Sequence, residues 1–354
     1  MLYHDYRIVF SVYLCPYRRA VCYMSSSDYT VCVTGGAGFI GSHISEALLE
    51  DGHEVVVIDP LDPYYDPRIK EHNLSICRDA GGDRFTHIED TITDEELVTR
   101  VFEEYGFDFV YHQAAQAGVR TSVENPKKPH EINTTGLLNV LLAADDHDVE
   151  RVINASSSSV YGKPDYLPYD EEHPNYPQSP YGVTKLTAEH YCKVWNNVYD
   201  VPTVSLRYFT VYGPRMRPNM AISNFVSRCV NGEPPVIYGD GEQTRDFTYI
   251  DNVVEANLAL LETDVADGEI LNIGSTDNIT INELADHIIE ETGADVERVH
   301  ESGRQADARH THADVSKSRE LLGYEPTVDI RDGVGKFLDW YQDNREWYEP
   351  LARS

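Results

Sequence analysis

Short apolar runs alternate with amphipathic stretches from residue 28 to residue 208. Thr30–Val33 predicts a buried strand, and Ile44, Ala47, Leu48 and Leu49 recur at helical spacing just after it. Glu54–Ile58 and Phe85–Ile88 predict a second and a third strand. A helix is predicted over Asp94–Tyr105, with Asp94 as its N-cap. Phe107–Tyr111 reads as a fourth strand, Glu131–Ala144 as a helix and Arg151–Ala155 as a fifth strand. A long helix over Tyr181–Val198 and a sixth strand over Thr203–Tyr208 complete the series. This alternation predicts an α/β fold, a doubly wound parallel sheet. Pro214, Pro218, Pro234 and Pro235 then break the pattern. A helix at Asp251–Leu261, a strand at Glu269–Ile273 and a helix reaching Glu291 from the capping box Thr280–Glu283 follow. An amphipathic helix around Val334, Phe337, Leu338 and Trp340 ends the chain.

The first strand runs into Val33-Thr34-Gly35-Gly36-Ala37-Gly38-Phe39-Ile40-Gly41. A strand that stops at glycines and restarts as a helix aims backbone N–H groups and a helix N-terminus at one spot, which suits an anion. Gly35, Gly38 and Gly41 are spaced G-x-x-G-x-x-G, and a glycine turn without a ligand has the same look. Asp59 ends the second strand, where a carboxylate either grips an adenosine ribose or merely closes a strand. The small residues of His112-Gln113-Ala114-Ala115-Gln116-Ala117-Gly118 let a flat ligand lie on the backbone.

Composition narrows the partners. The 354 residues carry 60 acids against 29 lysines and arginines, a net charge of -31. Nucleic acid and anionic membranes would be repelled. The acids are spread rather than blocked, which predicts a halophilic cytoplasm where salt screens their repulsion. No apolar run approaches the roughly 20 residues that span a bilayer. The six cysteines (Cys15, Cys22, Cys32, Cys77, Cys192, Cys229) form no C-x-x-C pair, so neither a disulfide framework nor a metal site is indicated, and Cys32 is expected in the core. Residues 1–23 are rich in tyrosine and carry Arg7, Arg18 and Arg19 against the single acid Asp5. Their apolar run Ile8–Leu14 makes a poor signal peptide, and Met24 reads as the natural start. Residues 1–27 are therefore expected to be an extension outside the fold.

Tyr181 and Lys185 stand one helical turn apart, on one face of the long helix. A tyrosine titrates near ~10, and a neighbouring ammonium pulls that value toward neutrality by stabilising the phenolate. Ser156-Ser157-Ser158-Ser159-Val160-Tyr161-Gly162 supplies hydroxyls at the end of the fifth strand.

With the glycine turn, the serine cluster and Tyr181/Lys185 in that order, the chain resembles the extended short-chain dehydrogenase/reductases. Within them it is most similar to the NAD-dependent nucleotide-sugar epimerases and dehydratases. The resemblance covers about residues 28 to 340 and continues through Arg207-Tyr208-Phe209-Thr210-Val211-Tyr212-Gly213-Pro214-Arg215 and Tyr238-Gly239-Asp240-Gly241-Glu242-Gln243-Thr244-Arg245-Asp246-Phe247. It implies a Rossmann-type domain over 28–207, with return segments at about 246–274. A smaller C-terminal substrate-binding lobe would comprise 208–245 and 275–354.

By the same resemblance Gly35, Gly38, Phe39, Ile40 and Gly41 would face the pyrophosphate of NAD. Asp59 would take the adenosine ribose, and an acid there disfavours a 2′-phosphate. Asp90 and Thr91 would lie by the adenine, and Ala114, Ala115, Asn133, Tyr208, Tyr181 and Lys185 would line the rest of the cofactor. Ser157, Tyr181 and Lys185 would form the catalytic group, although Ser158 and Ser159 stand close enough to exchange roles with Ser157. Arg120, Tyr238, Gln243, Arg245, Arg304 and Asp307 would hold the UDP end. Thr311 falls where the family tunes room for an N-acetyl group.

Dehydratases of this type carry acids after the catalytic hydroxyl, and decarboxylases carry a glutamate before V-Y-G. Ser158 and Ser159 fill those slots here, which favours a 4-epimerase passing through a 4-keto sugar. Thr210 and Arg217 resemble the pattern of UDP-glucuronate 4-epimerases. UDP-glucose, UDP-galactose and their N-acetylated forms remain alternative substrates. Dehydratase or decarboxylase activity and a non-catalytic NAD-binding role remain alternative functions. The family also suggests a homodimer built on the Tyr181 helix.

Overall fold

The computed structural model describes residues 28–275, 277–302 and 309–353. The expected extension 1–27, with Cys15 and Cys22, lies outside the described residues, as do Arg304 and Asp307. Strands β1 (Thr30–Thr34), β2 (Glu54–Ile58), β3 (Phe85–Ile88), β4 (Phe109–His112), β5 (Arg151–Ser157) and β6 (Thr203–Tyr208) form the first half. Between them run helices α1 (Phe39–Glu50), α2 (Pro67–Gly81), α3 (Glu95–Tyr105), α4 (Val119–Glu124), α5 (Lys127–His130), α6 (Leu137–Asp146) and α7 (Pro180–Val198). The second half holds β7 (Thr210–Tyr212), α8 (Ala221–Val230), β8 (Val236–Tyr238), β9 (Thr244–Arg245), β10 (Phe247–Tyr249) and α9 (Ile250–Leu258). It continues through β11 (Ile270–Ile273), β12 (Ile279–Thr280), α10 (Ile281–Thr292), β13 (Val299–Glu301), α11 (Ser316–Leu322), α12 (Ile330–Asp343) and α13 (Arg345–Ala352).

Seven strands pair in parallel in the order β11-β6-β5-β4-β1-β2-β3, the doubly wound sheet that the alternation predicts. The expected strand near Ile273 is the edge strand β11, in register with β6 from Ile270–Ser205 to Ile273–Tyr208. Side chains alternate across the sheet. Val31, Val33, Val55 and Val57 pack under α1 and α2, while Cys32, Val56, Val110 and Val152 face α3, α6 and α7. Both faces are covered, so the strands read as continuous apolar runs. Cys32 is a core residue, and burial pushes its thiol pKa up. The strand order reverses between β1 and β4, and the crevice beyond their carboxyl ends is the natural ligand site.

Several local expectations shift. β4 begins at Phe109, because Phe107 packs edge-on against Phe102 at 5.0 Å and Asp108 accepts the Thr30 N–H at 2.7 Å. The helix expected from Glu131 opens as a π-turn over Glu131–Gly136 before α6. Helix α2 was hidden by its charges: only Ile69, Lys70, Asn73, Leu74, Cys77 and Gly81 are buried, and Asp66 caps it ahead of Pro67. Helix α8 lies inside the region expected to be loop, with Ile222, Phe225, Val226 and Cys229 turned to the core.

Candidate active site

The glycine turn is a fitted piece of backbone. Gly35 has φ 70°, and a Cβ there would stand 2.7 Å from Ala114 backbone atoms, so only glycine admits both the turn and the approach of the β4 loop. Gly38 caps α1 without a side-chain hydrogen bond, which leaves the first-turn amides of Phe39, Ile40 and Gly41 to a ligand. The Ala37 peptide is held on both sides: its N–H donates to Asp59 Oδ2 at 3.3 Å, and its carbonyl accepts from Asn73 Nδ2 at 3.0 Å. Asp59 is buried at the end of β2, and its Oδ1 accepts from the Leu61 N–H at 2.9 Å and from Lys70 Nζ at 3.3 Å. Glycines without Cβ atoms, an uncapped helix start and an acid on the adjoining strand fit a dinucleotide. Lys70 and Asn73 were missed because α2 was missed; a lysine one turn beyond the Asp66 cap was the available signal.

Other cofactor-side residues fall along the same edge. Asp90 Oδ1 accepts the Thr91 N–H at 2.8 Å just past β3. Ala114 and Ala115 follow β4, with the Ala114 N–H 3.3 Å from Thr34 Oγ1. Asn133, in the π-turn, spends its amide inward: its oxygen accepts the Gln116 N–H at 2.7 Å and its nitrogen donates to Thr184 Oγ1 at 2.9 Å. It therefore locks the loop after β4 to α7. Tyr208 is buried, and its hydroxyl joins Asn257 Oδ1 at 3.0 Å and Gln113 Nε2 at 3.2 Å.

Ser179 caps α7 and Pro180 opens it, so Tyr181 stands in its first turn beside the end of β5. Ser157 stands close enough to the Tyr181 hydroxyl for its hydrogen bond to lower the tyrosine pKa. Its Oγ also donates to Ser159 Oγ and accepts the Ser159 N–H, both at 3.1 Å. Ser156 points away and donates to Glu189 Oε1 at 2.5 Å.

Burial raises the Tyr181 pKa, while the Ser157 hydrogen bond and the Arg217 guanidinium lower it and Tyr64 raises it. The buried Lys185 ammonium donates to the Ala155 carbonyl at 2.6 Å, an acceptor at the end of β5. Burial brings the Lys185 pKa down to about 8. Beside it His112, bonded to Thr34 Oγ1 at 3.0 Å, is pushed down to about 3 by burial and by Lys185, so it is neutral.

The substrate-side residues form two groups. Arg217 lies over the Tyr64 ring at 5.5 Å, and its charge lowers the Tyr181 pKa. Thr210 opens β7, its N–H donating to the Asp246 carbonyl at 3.0 Å. In the second group Arg120 lies over the Tyr238 ring at 5.8 Å, and Gln243 Nε2 donates to the Tyr238 carbonyl at 3.2 Å. Arg245 Nη1 donates to the Thr244 carbonyl at 2.8 Å and the Arg309 carbonyl at 3.2 Å. Thr311 is engaged, its hydroxyl accepting the Asp246 N–H at 3.1 Å. Asp246 is buried, which pushes its pKa up to about 7 against hydrogen bonds from the Ser275 and Ala313 amides.

The family model described as GDP-mannose 4,6 dehydratase matches residues 32–337. A putative UDP-glucose 4-epimerase of Methanocaldococcus jannaschii is 37% identical over 89% of this chain and 99% of its own length. A UDP-glucuronate 4-epimerase of Thermodesulfobacterium geofontis is 36% identical over 89% of this chain and 96% of its own. Among solved structures, the UDP-glucuronic acid 4-epimerase of Bacillus cereus, in complex with UDP-glucuronic acid and NAD, aligns with a TM-score of 0.83. That pair shares 36% identity over 89% of this chain and 99% of the other. A family model matched over most of the chain, relatives more than 30% identical over nearly their whole length and a closely superposing solved structure make this chain a member of the extended short-chain dehydrogenase/reductases, in their branch of NAD-dependent nucleotide-sugar epimerases.

Proposed function

We propose that the protein inverts C4 of a UDP-sugar with NAD as bound cofactor, and that its substrate is UDP-glucuronate. The observation that supports this reading is Arg217, whose guanidinium lies over the Tyr64 ring at 5.5 Å and stands near enough to Tyr181 to lower its pKa. Tyr181, held by Ser157, takes the proton from the C4 hydroxyl. Bound NAD supplies the oxidising and reducing power at C4. The 4-keto sugar turns between the two half-reactions, and Tyr181 returns its proton to O4 on the new configuration. Buried Lys185 keeps a positive charge beneath this exchange. Arg120, Tyr238, Gln243 and Arg245 anchor the UDP end.

The 4-keto form of a glucuronate is a β-keto acid and can lose carbon dioxide. A charge-assisted bond from Arg217, with the Thr210 hydroxyl, fixes the carboxylate and opposes that loss. Arg217→Ala is expected to raise KM for UDP-glucuronate about 10- to 100-fold, the worth of a hydrogen bond to a charged group. Steady-state kinetics with both sugars checks this. Far faster turnover of UDP-galactose, untouched by Arg217→Ala, would overturn the choice of substrate. A 4,6-dehydratase reading, which the name of the family model brings to mind, is disfavoured by Ser158 and Ser159, which stand in the slots where the resemblance would put its acids.

The same reading extends to assembly and setting. Helix α7 presents an exposed apolar stripe through Val183, Val194 and Val198, and α6 exposes Leu142 beside it, which supports a homodimer through these helices. The dispersed acids support a halophilic protein. The buried free thiols Cys32, Cys77, Cys192 and Cys229 support a reducing cytoplasm, as no helix among the described residues is long and apolar enough to cross a membrane. Sedimentation and melting at low and molar salt test assembly and halophily together: a monomer at every concentration, or a melting temperature indifferent to salt, would sink the corresponding claim. Recovery in the membrane fraction would sink the location.

A further inference from the structure

Tyr64 sits in the connection between β2 and α2, a stretch that hydrophobic patterning passes over. Both ends of that connection are fixed. Leu61, at φ 52°, turns the chain out of β2 while its N–H is held by Asp59, and Asp66 caps α2 at the other end. Asp62 in between pairs with Lys128 at 2.8 Å. The two tyrosines at its tip divide two cations between them. The Tyr65 ring lies under Lys70 at 5.6 Å, and Lys70 is the partner of Asp59 on the cofactor side. The Tyr64 ring lies under Arg217 at 5.5 Å, on the substrate side.

The Tyr64 hydroxyl approaches Gly118 closely enough that a Cβ there would stand 2.7 Å away, and Gly118 at φ 112° is a backbone position suited to glycine. The cofactor loop thus leaves room for this ring.

We propose that Tyr64 is a positioning residue that aims Arg217 at the substrate carboxylate and so sets the preference for a uronate over a neutral sugar. The inference deepens the reading of Arg217 given above and rests on it. An arginine side chain loses rotamer freedom when it is fixed. An aromatic face under the guanidinium removes part of that loss before substrate arrives, and it restricts the planar fork to one orientation. A neutral sugar makes no demand on the fork, so it gains nothing from the ring.

The test compares Tyr64→Leu, Tyr64→Phe and Arg217→Ala in the full-length, NAD-loaded protein, by calorimetric affinity for UDP-glucuronate and for UDP-glucose. Tyr64→Leu is expected to weaken UDP-glucuronate about five- to twentyfold, between the worth of an exposed and of a desolvated cation–π contact, and to leave UDP-glucose within about twofold. Tyr64→Phe, which keeps the ring, is expected to bind both like the parent. Equal losses on both sugars, or Tyr64→Phe as weak as Tyr64→Leu, would overturn the proposal. If Arg217→Ala weakens UDP-glucuronate and Tyr64→Leu does not, the role of Tyr64 alone fails. If Arg217→Ala leaves UDP-glucuronate unchanged, the carboxylate reading itself fails.

Discussion

Tyr181→Phe is expected to lower kcat by about 10³-fold while bound NAD and affinity for UDP-glucuronate stay near those of the parent. Positioned general acid–base catalysis is worth roughly 10² to 10⁴ in rate, and the phenol is the proton acceptor this site places beside the serine cluster. The ring itself remains in the variant, so shape and packing are kept. A residual rate within tenfold of the parent would remove Tyr181 from the proton path. The pH profile separates its helpers. In the proposed mechanism Tyr181 works as a phenolate, so activity is expected to rise as pH climbs through its pKa. The Ser157 hydrogen bond lowers that pKa and burial raises it, hence Ser157→Ala is expected to move the rising limb to higher pH as well as to slow the reaction. A limb that stayed in place would mean that Ser157 serves the substrate oxygen only.

The division between what patterning reveals and what it hides is physical. β1 and β2 are buried on both faces and bounded by turn residues, so their apolar runs announce themselves. The glycine turn and Tyr181/Lys185 are local arrangements whose chemistry depends on spacing along the chain, and spacing is what a sequence displays. Lys70 and Asn73 depend on a helix whose exposed face is so charged that its buried stripe is diluted, and their partners Asp59 and Ala37 come from other elements. The direction of Lys185 likewise turns on an acceptor outside its own helix, the Ala155 carbonyl. Arg217 was legible only by resemblance, and the ring beneath it was not legible at all, because Tyr64 meets it through tertiary folding.

The largest effect on stability is expected one turn below Lys185, at Glu189. Its carboxylate receives Arg207 Nε and Nη2 at 2.8 Å each and the Ser156 hydroxyl at 2.5 Å, with both charged side chains about 1% exposed. Arg207 also lies over the Tyr161 ring at 4.7 Å, and the Tyr161 hydroxyl donates to Asn272 Oδ1 at 2.6 Å. The pair therefore joins α7 to β5, β6 and β11 beside Ser157, the proposed catalytic serine. Removing one partner strands a buried charge, so Glu189→Leu and Arg207→Leu are each expected to cost about 3–5 kcal/mol in urea unfolding. Replacing both removes the stranded charge along with the bond, so the double variant is expected to lose clearly less than the sum of the singles. Strict additivity, or single losses under about 1 kcal/mol, would show that water or another group already serves these atoms. Ser156 adjoins Ser157 on the same strand end, so a double variant that regains stability is still expected to turn over more slowly than the parent. A carboxylate that never meets substrate would then be shown to hold in register the hydroxyl that does.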